Sequence, residues 1–272
     1  MPYRHAHWYV LTLFPFAALA FWPSYLGQFR TSGAEMHAHG ITASLWVALL
    51  AWQSWTIHHG RRGLHRTAGL MSLILFPLFL AGGVSIFIGM AQRYAAAASP
   101  FHVMYAPRLA WLDAAAVTGI ALFYFMAMKK RRKVHAHSRY LLATALFLIP
   151  PILSRLSPLV PPLAVTGPED FYKIGYGVQI ANTITVAIAL TLASRAGKHG
   201  RPFLIAAALV AISMVLFDTV GRWPEWQALF ARFAQWPLAP SIAAATAAGA
   251  VIGWAGWAAG TRASPVAEAQ PA

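Results

Sequence analysis

The chain has 272 residues, 58% of them hydrophobic and 10% charged, with a mean hydropathy of +0.55. Soluble domains carry about 25% charged residues, so this composition excludes an ordinary soluble protein and predicts an all-α, polytopic transmembrane helix bundle in a lipid bilayer. The formal charge of +14 does not read as nucleic-acid binding, because Lys and Arg cluster between apolar runs as topology signals; the absence of cysteine removes thiolate chemistry and leaves His as the strong nitrogen ligand.

Apolar runs lie near residues 8–25, 40–57, 68–90, 108–128, 139–157, 174–194, 202–220 and 239–261. A helix crosses the hydrocarbon core in about 20 residues, so these runs predict eight transmembrane helices in a single domain spanning 1–261. The first run follows Arg4 in the manner of a signal peptide, but "FWPSYLGQF" lacks a small-residue cleavage site and is kept as a helix. In the second run His39, Trp46 and Gln53 recur at intervals of seven and form a stripe. The third opens with "LHRTAGLMSL", where His65, Gly69, Ser72, Phe76 and Gly83 share a narrow face that admits a close neighbour, either another helix or a flat cofactor.

The fifth run carries His137, Tyr140, Thr144, Pro151 and Arg155 on one stripe, with Pro150 and Pro151 expected to kink it. The segment "RWPEWQALFARFAQW" places Trp226, Leu229, Phe230, Phe233 and Trp236 on one side and predicts an interfacial amphipathic helix. In the last run Gly249, Gly253, Gly256 and Gly260 form a small-residue face for internal packing or for a homodimer. The polar, alanine-rich end at 262–272 reads as a disordered cytoplasmic tail.

Orientation follows from the basic residues. Arg4, Arg61, Arg62, Arg66, the "KKRRK" run at 129–133, Arg139, Arg195, Lys198, Arg201 and Arg262 fall on one side, which the positive-inside rule assigns to the cytoplasm of a bacterial inner membrane, with both termini there. The tripeptide His-Ala-His occurs three times, ending at His7, His39 and His137. Its second copy lies on the surface opposite the other two, about 30 Å away, so the three copies cannot build one site.

Two polar layers result. The inner one holds His65 and His137 at similar depth on different helices, the arrangement needed for axial ligation of a b-type haem or for part of a copper site, with Arg66 and Arg139 near enough to pair haem propionates. "KKRRK" could pair propionates too, but reads first as a positive-inside loop that contacts anionic lipid. The outer layer gathers His39, Asp113, Arg155, Gln179, Asn182 and Asp218, with Asp113 or Asp218 as the natural partner of Arg155.

The segments "KVHAHSRYLLATALFLIPPILSR" and "HGITASLWVALLAWQSWTIHHGRRGLHRTAGLMSLILFPLFLAGGVSIF" resemble signature segments of small bacterial four-helix membrane proteins implicated in cytochrome oxidase assembly, and of related uncharacterised families. The likeness lies in a His that opens a helix ending in Arg, and in a His helix joined by a basic loop to an "HR…G" helix. It covers helices 2 to 5 and selects His137 with Arg155, His39, and His65 with Arg66. It implies a non-catalytic factor that binds or delivers haem or copper for a respiratory oxidase and meets the oxidase subunits. Two other functions fit the same pattern: a membrane redox enzyme in the style of b-type cytochromes, which needs His pairs at both depths, and a transporter or structural protein whose polar layers line a path or pack helices.

Overall fold

The computed structural model describes residues 3–261; the tail expected at 262–272 lies outside the described residues. Among those residues the chain is helical, with no strand. Its α-helices are α1 (Ala6–Leu11), α2 (Leu13–Phe21), α3 (Ala34–His58), α4 (Arg62–Ala95), α5 (Pro100–Lys129), α6 (Val134–Thr144), α7 (Ile149–Leu156), α8 (Tyr172–Ala196), α9 (Arg201–Asp218), α10 (Pro224–Arg232) and α11 (Leu238–Thr261).

The chain runs back and forth between two faces. On one, the His7 ring lies 6.2 Å from His59 and His135 stacks on His199 at 5.0 Å, while Arg131 donates to the Trp257 carbonyl. On the other, Arg93 pairs with Glu35 at 2.6 Å, Tyr105 donates to the Phe171 carbonyl, and Arg155 lies over the Phe21 ring. Eight passes connect these faces, α1–α2 and α6–α7 each counting as one, so both ends of the described chain reach the basic face.

Six of the passes are long and apolar enough to cross a membrane: those containing α4, α5, α6–α7, α8, α9 and α11. The other two depart from the expected spans. α3 has 25 residues, but its imidazoles, tryptophans and Gln53 keep its hydropathy below that of the six. The first pass, Ala6–Phe21, is short and interrupted at Thr12, whose hydroxyl turns back to the Tyr9 carbonyl.

The proline pair breaks the fifth span as its chemistry requires. Pro150 and Pro151 cannot donate to the carbonyls four residues earlier, and the helix tightens into a 3₁₀ turn at Ala145–Leu148 before α7 starts. At the α3–α4 corner Gly60 adopts φ +70°, a left-handed conformation that costs glycine little.

The core is aromatic where the central helices meet. Trp46, Phe76, Phe123 and Tyr124 are fully buried; Phe76 stacks on Tyr124 at 4.1 Å, and the Tyr124 hydroxyl meets Ser72 Oγ at 2.9 Å. The small-residue face of α4 therefore receives helices: Gly69 lies against Gln53 and Gly83 against Val117. The amphipathic segment packs as expected, with Phe230 buried beside Phe87 and the Trp226 indole donating to the Pro107 carbonyl at 2.7 Å.

The glycine face of α11 corrects the homodimer expectation. A Cβ at Gly249 would stand 2.7 Å from Pro77 Cα and one at Gly256 2.7 Å from the Phe125 carbonyl oxygen; Gly253 packs on Tyr124 and Gly260 on Arg131. All four positions are filled by α4, α5 and the loop after α5 of the same chain, leaving no such face for a second copy. Gly249→Leu should accordingly cost about 1–3 kcal/mol through overpacking, read as a lower melting temperature in detergent. A dimer contact would instead show a changed oligomeric state at unchanged stability.

Candidate functional site: an imidazole-lined cleft at the basic face

Two sequence stripes face each other across the bundle. At mid-depth the buried Trp46 indole of α3 donates to Thr144 Oγ1 of α6 at 3.1 Å, and Thr144 itself donates to the Leu141 carbonyl. Toward the basic face, His65 and His137 come together with ring centroids 6.5 Å apart and planes at 82°.

Both rings are oriented by backbone carbonyls. His65 Nδ1 lies 3.2 Å from the Gln53 carbonyl and His137 Nδ1 2.9 Å from the Ala127 carbonyl. A carbonyl only accepts, so each Nδ1 carries the hydrogen and the neutral ring keeps its lone pair on Nε2. Gln53 completes a reciprocal link by donating from Nε2 to the His65 carbonyl at 3.1 Å.

These rings line a cleft of about 110 Å³ together with Tyr3, Gln53, Ser54 and His58. The Tyr3 hydroxyl, Gln53 Oε1, Ser54 Oγ and His58 Nε2 are all buried without a hydrogen-bond partner. Buried polar atoms are usually satisfied, so four orphans on the walls of one cleft mark a place suited to an ion or water. His58 is oriented like its neighbours, its Nδ1 2.7 Å from the Ser54 carbonyl. Acceptors predominate: imidazole nitrogens and an amide oxygen favour a cation. Among the described residues no group of three or more His, Asp or Glu side chains is close enough to hold a metal ion, so His65 and His137 act as a pair.

The cleft also tests the haem expectation. At about 110 Å³ the cleft is smaller than the roughly 300–1,000 Å³ of pockets for drug-sized ligands, a space for an ion with its waters. Nor do the two arginines frame a propionate site. Arg66 is exposed and makes no hydrogen bond or ion pair among the described residues, whereas Arg139 is buried, donates to the His135 carbonyl at 2.9 Å and lies over the Tyr3 ring at 5.1 Å.

The outer layer divides. His39, Asp113 and Arg155 come together on α3, α5 and α7, close enough for the Arg155 charge to act on both others. Asp113 and Arg155 form no ion pair within 4.0 Å; Arg155 donates to the Pro151 carbonyl of its own helix at 2.9 Å. The expected pairing of Arg155 with Asp218 is overturned. Asp218 pairs with Arg108 at 2.6 Å and Arg222 at 2.9 Å and accepts from Gln179, because α9 ends against α5 and α8 and not against α7. Asn182, fully buried, donates to the Val178 carbonyl of its own helix. His39 gains no imidazole partner at this depth: His37 bonds the Tyr25 hydroxyl at 3.0 Å instead.

Arg108 was not marked by the sequence patterns as a site residue. It is buried, donates from Nε to the Phe217 carbonyl at 3.2 Å, and sits over the Phe217 and Tyr105 rings. The signal was an arginine just inside an apolar run, after Pro107. No protein-family model, curated protein or solved structure matches the chain, so its functional reading rests on this geometry.

The Asp218 group yields a graded prediction. Arg108 is 9% exposed in its side chain and Arg222 60%. Arg108→Met should destabilise the protein by about 1.5–3 kcal/mol, the cost of losing charge-assisted bonds in a buried setting. Arg222→Met should cost under about 1 kcal/mol, as exposed pairs do, with thermal unfolding of both variants as the comparison.

Proposed function

We propose that this integral membrane protein binds a single copper ion between His65 and His137 at its basic face and handles it for respiratory oxidase assembly. The observation that carries the reading is the pair of imidazoles on separate helices, both Nδ1 atoms tied to backbone carbonyls, so that both Nε2 lone pairs are left for a ligand. Carbonyl anchoring of the distal ring nitrogen is the usual outer-shell support of a metal-bound His. Imidazole suits copper among the first-row ions, and the cleft volume favours an ion over haem.

The oxidase setting comes from the resemblance of the segments around His39–Phe87 and Lys133–Arg155 to assembly factors. A b-type-cytochrome-like enzyme is disfavoured because His39 has no second imidazole at the outer depth. In the proposed role His65 and His137 bind, Gln53 and the Ala127 carbonyl hold their orientation, and the apolar walls from Leu50, Leu141 and Leu142 limit access of water.

Purified protein should take up about one copper ion per chain, and His65→Ala and His137→Ala should each lower its affinity at least tenfold while leaving elution and melting behaviour near wild type. Gln53→Ala keeps the backbone carbonyl that holds His65 Nδ1 and removes only the side-chain link to the His65 carbonyl, so it should weaken binding by less than about tenfold. Absence of copper uptake, or a Soret band after haem reconstitution that disappears in both histidine variants, would overturn the copper reading.

A further inference from the structure

The end of α3 carries imidazoles that the cleft does not use. His59 is exposed, its ring stacks on Trp55 at 4.8 Å, and its Nδ1 lies 2.8 Å from the Trp55 carbonyl. That carbonyl only accepts, so Nδ1 carries the hydrogen and the Nε2 lone pair is left free, as in the cleft pair. His7 of α1 meets His59 with ring centroids 6.2 Å apart and planes at 73°, close to the 6.5 Å and 82° of His65 and His137. His7 is only 6% exposed, and its Nδ1 is buried without a hydrogen-bond partner. A desolvated imidazole nitrogen with no protein partner is suited to an ion or water.

His58 links this pair to the cleft. Neighbouring residues on a helix point about 100° apart, so the rings of His58 and His59 leave α3 in different directions. His59 turns to His7, while His58 lines the cleft with its Nε2 orphaned. His58 also stands close enough to His7 for its charge to act there. The other imidazole pair on the basic face lacks such a link: His135 and His199 stack at 8°, neither lines the cleft, and His135 Nδ1 lies 3.3 Å from an Arg139 donor.

We infer that His7 and His59 form a second, more accessible copper site, from which the ion passes by way of His58 to His65 and His137. The exposed His59 meets the ion from water and the buried His7 backs it. Each transfer forms one copper–nitrogen bond as another breaks, with the charge of the ion unchanged. The outer pair is the weaker site, filled only when copper exceeds one equivalent or when both cleft imidazoles are absent. The destination rests on the copper reading of the cleft; the outer pair itself does not.

Two measurements on the full chain test this. With both His65→Ala and His137→Ala present, titration with Cu(II) followed by electron paramagnetic resonance should show one bound ion coupled to imidazole nitrogen. Adding His7→Ala or His59→Ala should weaken it at least tenfold; the exposed His59 keeps the test valid should the buried His7→Ala not fold. With the cleft intact, His58→Ala and His59→Ala should each slow copper loading at least tenfold in stopped-flow tryptophan fluorescence, and His59→Ala should leave the final affinity of the cleft near wild type. No ion in the cleft-free chain, or one indifferent to His7→Ala and His59→Ala, overturns the outer site. Loading at the wild-type rate in both kinetic variants overturns the passage and leaves the copper reading intact. Copper that fills the outer pair but never the wild-type cleft overturns the passage and the copper reading together, and supports the outer site.

Discussion

The Trp46 indole is completely buried in the middle of an apolar bundle and must donate its hydrogen, and the acceptor it finds is Thr144 on the helix opposite. In hydrocarbon an unsatisfied N–H costs several kcal/mol, so this contact fixes both the depth and the facing of α3 against α6. The imidazole pair lies at the basic-face end of that seam. Seven residues along from Trp46 toward the basic face, Gln53 holds His65, and seven residues before Thr144 stands His137. Seven residues is about two helical turns, so the contact at mid-depth places the two imidazoles at one level.

The polar groups at the two ends of the seam differ in how they are satisfied, and this decides what each can do. At the basic face the imidazoles are oriented by carbonyls and keep free lone pairs, an arrangement for a soft or borderline cation. At the outer end charge predominates: Arg155 approaches His39 and Asp113 without closing an ion pair. The Asp218 group nearby is closed by two arginines and a glutamine and reads as structural, tying α5, α8 and α9.

Much of this was legible in the residues. Apolar run length marked eight passes, of which six are long and apolar enough to cross a membrane, α3 and the short first pass falling below, and the 3.6-residue period placed His39, Trp46 and Gln53 on one stripe and His137, Thr144 and Arg155 on another, because helix geometry is local. Depth followed from counting along each helix, which is why His65 and His137 could be matched before any contact was known. Partner choice was not legible, since it depends on which helices are neighbours. Of the two carboxylates expected for Arg155, Asp218 belongs to α9 and meets Arg108 instead, while Asp113 stands near Arg155 without an ion pair within 4.0 Å. The α11 glycines fixed a packing face but not its occupant, and the orphaned groups of Tyr3, Ser54 and His58 follow from the meeting of the N-terminal segment, α3, α4 and α6 around the cleft.

The central claim is that one ion is held by imidazoles from α4 and α6 together. X-ray absorption spectroscopy of the copper-loaded protein tests it most directly. Two nitrogen neighbours at about 2 Å with the outer-shell scattering of imidazole rings are expected, reduced to one ring in either His65→Ala or His137→Ala. A copper environment of oxygen alone, or one unchanged by both substitutions, would contradict it.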